Sequence, residues 1–313
     1  MNRIIFSLFL ILILFVSCEK NQNQNITFLV ANDMGRRGES EQQNIANLMS
    51  LHAELEKVEF LAVAGDPIHD EGVTGLDDEE WNLKIENIYT SRSLHAIPWY
   101  VISGNHEYHG NVQAILDYSN ISERWNAPAR YFSMEYPVGK KQKVLFVYID
   151  TPPLIDKYRE TYENEEDNYS DAGEQNIENQ LFWLDSTLLA SKCKWKIVIG
   201  HHPIYADTEK SENERIDMQK RVGSILENHN VDFYICGHIH NFQYIKPEGK
   251  KVNYIVNSSA SRSRVAKPIE GTLFCNPDPG YSAFTVSADS IWFSFVNHKG
   301  EQVYKHAIGK GVE

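Results

Sequence analysis

The 313-residue chain has no run of some twenty apolar residues, so nothing in it reads as a membrane-spanning helix. Its longest such run, Ile4 to Val16 behind Arg3, spans about thirteen residues, the length of a signal-peptide core. A basic excess is missing too. Lys and Arg number 30 against 43 Asp and Glu, the net charge is −13, and the pairs Lys140-Lys141 and Lys250-Lys251 form no stripe. Nucleic acid is therefore not an expected partner, because backbone-phosphate binding runs on clustered cations. Cysteines number only four, no segment repeats, and no linker divides the middle of the chain, so one main domain is expected. What is present is ordinary globular material: 42% hydrophobic and 12% aromatic residues are enough to bury a sizeable core.

Behind the apolar run, Phe15-Val16-Ser17-Cys18 resembles the bacterial lipobox, with Phe15 where leucine is usual. The resemblance implies a signal peptide over 1–18, lipidation of Cys18, a polar tether over 19–25 and a catalytic domain over 26–313. It also implies a protein exported to the cell envelope and held to a membrane by its lipidated N-terminus; an ordinary cleaved signal would leave it periplasmic or secreted. If Cys18 carries lipid, three cysteines remain, an odd number that argues against a disulfide framework. Cys236, inside the apolar run Val231 to Cys236, reads as a small buried hydrophobe, while Cys193 and Cys275 could pair.

From residue 26 onward, short β-branched and aromatic runs alternate with helical-period segments, which predicts stacked β-α units. The expected strands are Ile26–Val30, Phe60–Ala64, Trp99–Ser103, Val144–Ile149, Trp195–Ile199 and Asp232–Cys236. Ile45, Leu48, Met49, His52 and Leu55 share one helical face, with Ser40 and Gln43 spaced as a capping box. Similar faces are formed by Ile177, Leu181, Leu184 and Leu188, and by Met218, Val222, Ile225 and Leu226. In the last third, Val252–Val256, Tyr281–Val286, Ile291–Val296 and Gln302–His306, with a turn at Lys299-Gly300, predict a meandering antiparallel portion. The acidic stretches Asp77–Glu80 and Glu160–Asp171 read as solvated loops or helix starts.

The chemistry gathers just after the strands. Asn32-Asp33-Met34-Gly35, Gly65-Asp66-Pro67-Ile68-His69-Asp70, Gly104-Asn105-His106-Glu107, Gly200-His201-His202-Pro203 and Gly237-His238-Ile239-His240 each follow a predicted strand. Carboxyl ends of strands are where α/β sheets build sites, and the glycines let the backbone turn sharply there. Any one of these segments alone is weak. In Gly-His-x-His, however, a two-residue period puts both imidazoles on one side of an extended segment, within reach of adjacent metals.

In this order the five segments resemble the motifs of the calcineurin-like metallophosphoesterases: Asp-x-His or Asp-x-Gly, Gly-Asp, Gly-Asn-His-Asp/Glu, a His, then Gly-His-x-His. More narrowly they are similar to the purple, tartrate-resistant-type acid phosphatases. Asp-x-Gly at Asp33, Pro98-Trp99-Tyr100-Val101 before Gly104, and Gln180-Leu181-Phe182-Trp183-Leu184 before His201-His202 carry that narrower likeness. The resemblance covers about residues 26 to 310. It implies an α/β fold, a four-layer αββα sandwich of two mixed sheets flanked by helices. It further implies a phosphomonoesterase of the acid-phosphatase type whose nucleophile is a hydroxide on a dinuclear metal centre. Phosphodiesterase or nucleotidase action on the same site, and a metal-binding surface lipoprotein without catalysis, stay open at this point.

Carried across residue by residue, Asp33, Asp66 and His240 would hold one metal, and Asp66, Asn105, His201 and His238 the second, with Asp66 bridging. Carboxylates and neutral imidazoles suit iron, zinc or manganese. His106, beside Asn105, is the implied proton donor to the leaving group; His202 is a second candidate that could instead pack, and Glu107 could orient His106 or support the ligands. One position departs from the pattern. The purple enzymes carry a ligating tyrosine three residues after the bridging aspartate, and here that residue is His69. With Gly35 where Asp-x-His has its histidine, His69 could restore the nitrogen ligand. Loss of the phenolate favours divalent over ferric iron and predicts a protein without the purple colour.

Overall fold

The computed structural model describes residues 25–159, 169 and 171–310. The predicted signal, lipobox and Cys18 lie outside the described residues, as does most of the acidic stretch Glu160–Asp171. No helix among the described residues is long and apolar enough to cross a membrane.

Fourteen strands are described: β1 (Ile26–Ala31), β2 (Val58–Ala64), β3 (Trp99–Ile102), β4 (Trp125–Asn126), β5 (Phe132–Val138), β6 (Gln142–Tyr148), β7 (Trp195–Ile199), β8 (Phe233–Cys236), β9 (Phe242–Ile245), β10 (Asn253–Val256), β11 (Thr272–Asn276), β12 (Gly280–Val286), β13 (Ser290–Asn297) and β14 (Gln302–Gly309). The α-helices are α1 (Gln42–Leu55), α2 (Arg92–His95), α3 (Val112–Asp117), α4 (Asp156–Arg159), α5 (Ile177–Ala190), α6 (Glu212–Met218) and α7 (Ser224–Asn228). The strands form two seven-stranded mixed sheets, ordered β14-β13-β12-β1-β2-β3-β4 and β11-β9-β10-β8-β7-β6-β5. β1, β2 and β3 run parallel in the first, as do β6, β7, β8 and β10 in the second.

Alternation along each strand explains the layering. Phe28 and Val30 of β1, with Phe60, Ala62 and Ala64 of β2, point inward against the second sheet's Phe146, Ile197 and Phe233. Leu29, Leu61 and Val63 point the other way, onto Ile45 and Met49 of α1. On the far side, Leu184 and Leu188 of α5 cover Leu145, Val147 and Val198. Helix, sheet, sheet and helix therefore stack because each central strand is apolar on both faces. Phe28 anchors the middle, stacked on Phe60 at 5.0 Å and edge-on to Phe146 at 5.1 Å between ring centroids.

Several expectations need correction. Ser40 does not cap α1: its φ is 55° and the helix begins without a side-chain cap. Gln42 organises the entry instead, its Oε1 accepting from the N–H groups of Arg36 and Gly38 at 2.8 Å each. The strand at Val252–Val256 is not in the antiparallel meander, which is β12-β13-β14 alone; β10 lies in the other sheet, parallel to β8. The segment from Met218 to Leu226 is not one regular α-helix, because a π turn over Gln219–Gly223 joins α6 to α7. Cys193 and Cys275 stay free, and Cys236 is buried.

Candidate metal centre

The carboxyl ends of β1, β2 and β3 in one sheet and of β7 and β8 in the other meet at one edge of the sandwich. All five predicted segments deliver their side chains there. Asp33, Asp66, His238 and His240 sit at φ 51°, 49°, 70° and 63°. Left-handed backbone at non-glycine residues costs on the order of 1–3 kcal/mol each and persists where the surroundings impose it. Here the imposition is visible: Asp33 N–H donates to Gly65 O at 3.1 Å, and Met34 N–H to Asp66 O at 2.9 Å. Gly35 continues the same contact, and a Cβ there would lie 2.4 Å from Pro67 O. A histidine in its place would not fit. At Gly104 a Cβ would come within 2.1 Å of Asp66 Oδ1, so the approach of β3's end to the carboxylate requires glycine.

Asp66 lies at the middle. Its Oδ1 accepts from His106 N–H at 3.0 Å, and its Oδ2 is 3.0 Å from His201 Nε2, 3.8 Å from His106 Nε2 and 4.0 Å from His69 Nε2. Asp33 Oδ2 accepts from the Asn32 amide at 2.6 Å and from His238 N–H at 2.9 Å. Its Oδ1 has no hydrogen-bond partner and lies 2.9 Å from His240 Nε2 and 3.6 Å from His69 Nε2. Single ligand atoms from Asp33, His69 and His240 lie within 4.8 Å of one another, as do those of Asp33, Asp66 and His201, of Asp66, His69 and His106, and of His201, His202 and His238.

The unpartnered atoms are the strongest sign of a cation site. Asn105 Oδ1, Asp33 Oδ1 and both ring nitrogens of the fully buried His69 lack hydrogen bonds, although most buried polar atoms in proteins have them. Two carboxylates, four imidazoles and an amide oxygen are a donor set that suits a pair of transition-metal ions. Burial disfavours the charged carboxylates, yet His240 beside Asp33 and His201 beside Asp66 outweigh it and hold both well below the usual range. Burial likewise pushes His69 and His238 well below the ordinary histidine value, toward the neutral form that ligates metals.

Supporting contacts set which nitrogen faces inward. His201 Nδ1 is 2.9 Å from Ala64 O, an N–H donor contact that leaves Nε2 toward Asp66. His238 Nε2 is 3.1 Å from Glu214 Oε2, which leaves its Nδ1 facing His201 Nε2 at 3.2 Å. Such carboxylate-histidine pairs raise ligand basicity. Glu214, on α6, was not identified from the sequence. Lys84 was missed as well; its Nζ donates to His69 O and lies 3.1 Å from Glu80.

Glu107 takes the supporting role. It accepts from the N–H groups of Gly104 at 2.7 Å, Asp66 at 3.1 Å and Ile68 at 3.1 Å, tying the ends of β2 and β3 together. Burial and the Asp66 charge push its carboxyl up to about 8, against the pull of those three donors. His106 stands at the rim with a 26% exposed side chain, its Nδ1 2.6 Å from Asp70 O, so its Nε2 is the nitrogen turned to the site. His202 is buried with both nitrogens occupied, Nδ1 2.8 Å from Thr151 Oγ1 and Nε2 3.1 Å from Tyr158 Oη. That favours packing over contact with substrate.

A family profile described as calcineurin-like phosphoesterase matches residues 26–242. The chain belongs to this family. Among its relatives, purple acid phosphatase 4 of Arabidopsis thaliana is 31% identical over 302 residues, 94% of this chain and 86% of that one. Tartrate-resistant acid phosphatase type 5 of Homo sapiens is 26% identical over 258 residues, 79% and 78% of the two chains. Two solved structures share the fold. GAP50, the anchor in the inner membrane complex of Plasmodium, aligns with a TM-score of 0.78 at 23% identity, covering 92% of this chain and 90% of its own. Purple acid phosphatase PPD1 of yellow lupin (Lupinus luteus) aligns with a TM-score of 0.63 at 16% identity, covering 92% and 54%. This calcineurin-like phosphoesterase is thus a metal-dependent phosphoester hydrolase of the dimetal type, built on its family's two-sheet sandwich.

Proposed function

We propose that this phosphoesterase is a phosphomonoesterase of the acid-phosphatase type. One ion would be held by Asp33, Asp66, His69 and His240, and the second by Asp66, Asn105, His201 and His238. What supports this reading is the likeness to acid phosphatases together with buried ligand atoms that lack hydrogen bonds, Asp33 Oδ1, Asn105 Oδ1 and the His69 nitrogens, with Asp33 and His69 in the His/Asp groups that include Asp66. When bound, such ions attract phosphate oxygens and lower the pKa of a water to near neutrality. The residues do the rest. His106 Nε2, at the exposed rim, gives a proton to the departing oxygen, while Asp70 O holds its other nitrogen. Glu107 fixes the Asp66 and Gly104 backbones that aim the carboxylate and the Asn105 amide.

His69 sets the metal preference. A neutral imidazole adds no charge to the donor set, which favours divalent iron, zinc or manganese. The experiment is hydrolysis of p-nitrophenyl phosphate by chelated protein and by protein reloaded with each ion. Restored turnover supports the reading; two bound ions without turnover on the monoester, but with turnover on bis-p-nitrophenyl phosphate, would replace it with diesterase action. Iron-loaded protein is expected to show no tyrosinate charge-transfer band in the visible spectrum, and a strong band would contradict the role given to His69.

The lipobox-like stretch supports anchoring in the cell envelope through Cys18. Cys18→Ala is expected to move the protein from the membrane to the soluble fraction; equal distribution of both forms would end that reading.

A further inference from the structure

Beside the His238 end of the centre is a cavity of about 430 Å³ lined by Thr208, Glu209, Lys210, Ile239, Arg264 and Val265. Two of its walls are cations of unusual placement. Lys210 Nζ lies 3.3 Å from His238 Nδ1, the nitrogen that the Glu214 contact leaves facing inward. The Lys210 backbone is fixed by Thr208 Oγ1, which accepts its N–H at 3.0 Å. Arg264 is exposed, but its loop is pinned to the centre where its N–H donates to His240 O at 2.8 Å. Among the described residues neither Lys210 nor Arg264 has a carboxylate oxygen within 4.0 Å, and the carboxylates of Asp66, Asp33 and Glu214 attract Lys210 only from farther off.

An ammonium held beside a nitrogen that faces a cation is repelled once that cation is in place, unless an anion lies against both. The phosphoryl group of the substrate is such an anion. Arg264, on the same cavity but outside the ligand shell, is placed for negative charge on whatever the phosphoryl group is attached to. Val265, exposed on the same cavity, suits an apolar body near the two charges. Glu209 shares the lining and is exposed like Arg264, so two cations stand against one carboxylate there.

We propose that Lys210 binds an oxygen of the transferred phosphoryl group, and that Arg264, lining the same cavity, selects monoesters whose leaving group carries a second negative charge. The inference rests on the phosphomonoesterase reading and names its preferred substrate class.

The test uses phosphonates, which bind without turnover. Metal-loaded protein is titrated calorimetrically with 4-carboxyphenylphosphonate and with its methyl ester, with metal content measured for every variant. The native protein is expected to bind the carboxylate about tenfold more tightly than the ester. Arg264→Gln is expected to bring that ratio close to one. Lys210→Gln is expected to weaken both ligands about tenfold together, keeping the ratio and both metal ions. A ratio unmoved by Arg264→Gln, phosphonate binding unmoved by Lys210→Gln, or metal loss in Lys210→Gln overturns the proposal. Turnover of p-nitrophenyl phosphate is followed in parallel. Charge-selective binding without turnover would refute the monoesterase reading and leave these two roles standing, whereas turnover with no charge preference refutes this inference alone.

Discussion

Asp66→Asn is expected to lower kcat/KM on aryl phosphates by roughly 10³-fold or more, the scale of effect expected when charge stabilisation is lost at the reacting centre. The substitution is chosen to be structurally mild. Asparagine tolerates the left-handed backbone that Asp66 adopts at φ 49°, and its side-chain oxygen can still accept the His106 N–H that Asp66 Oδ1 accepts now. What it removes is the negative charge shared between the two sets of donors, Asp33, His69 and His240 on one side and Asn105, His201 and His238 on the other. Elemental analysis should therefore find fewer than two ions per chain, and the chelated protein should unfold at a lower temperature, because the buried Asp66–His201 ion pair is lost with the charge. Full metal content with full activity would show that Asp66 is not the bridge.

His106→Ala is expected to cost about 10²–10⁴-fold in turnover on substrates with poor leaving groups, the range for a positioned proton donor. Nitrophenolates, which leave without help, should lose far less. His106 is the rim histidine of the centre, with Nδ1 committed to Asp70 O and Nε2 3.8 Å from Asp66 Oδ2. Its backbone N–H also orients Asp66, and that contact survives truncation to alanine. Metal content should stay at the native level. The measurement is the dependence of log kcat on leaving-group pKa across a series of aryl phosphates; a parallel fall for the whole series would remove His106 from proton donation.

The centre was legible in the sequence to the extent that it is local. Gly-Asp, Gly-Asn-His-Glu and Gly-His-x-His place ligands within a few residues of a strand end, and the strand ends are marked by β-branched runs. The central strands were legible for the same reason, since Phe28, Phe60, Phe146 and Ile197 sit in near-continuous apolar stretches. Contacts over long sequence distances were not. Glu214 reaches His238 from a helix 24 residues away, and no pattern within α6 marks it as a metal-centre residue. Glu107 is visible in the sequence as a neighbour of His106, but its bonds to Asp66 and Ile68 depend on two parallel strands lying side by side.

Two other strands were weak in the same sense. The edge strand β5 alternates half-buried and exposed residues, and the interior strand β9 follows so closely on His240 that it reads as part of the motif. The sheet to which β10 belongs is set by its parallel register with β8, Tyr254 opposite Tyr234 and Ile255 opposite Ile235, which no local pattern encodes. At Ser40 a valid capping spacing lost to the Gln42 side chain, which closes the preceding loop instead.

The central claim is a two-ion centre bridged by Asp66. Anomalous diffraction from crystals of the manganese- or zinc-loaded protein tests it most directly. Two anomalous peaks about 3.5–4 Å apart, one beside Asp33, His69 and His240 and the other beside Asn105, His201 and His238, with the Asp66 carboxylate between them, is the result predicted. A single peak, or two peaks on the same side of Asp66, would contradict it.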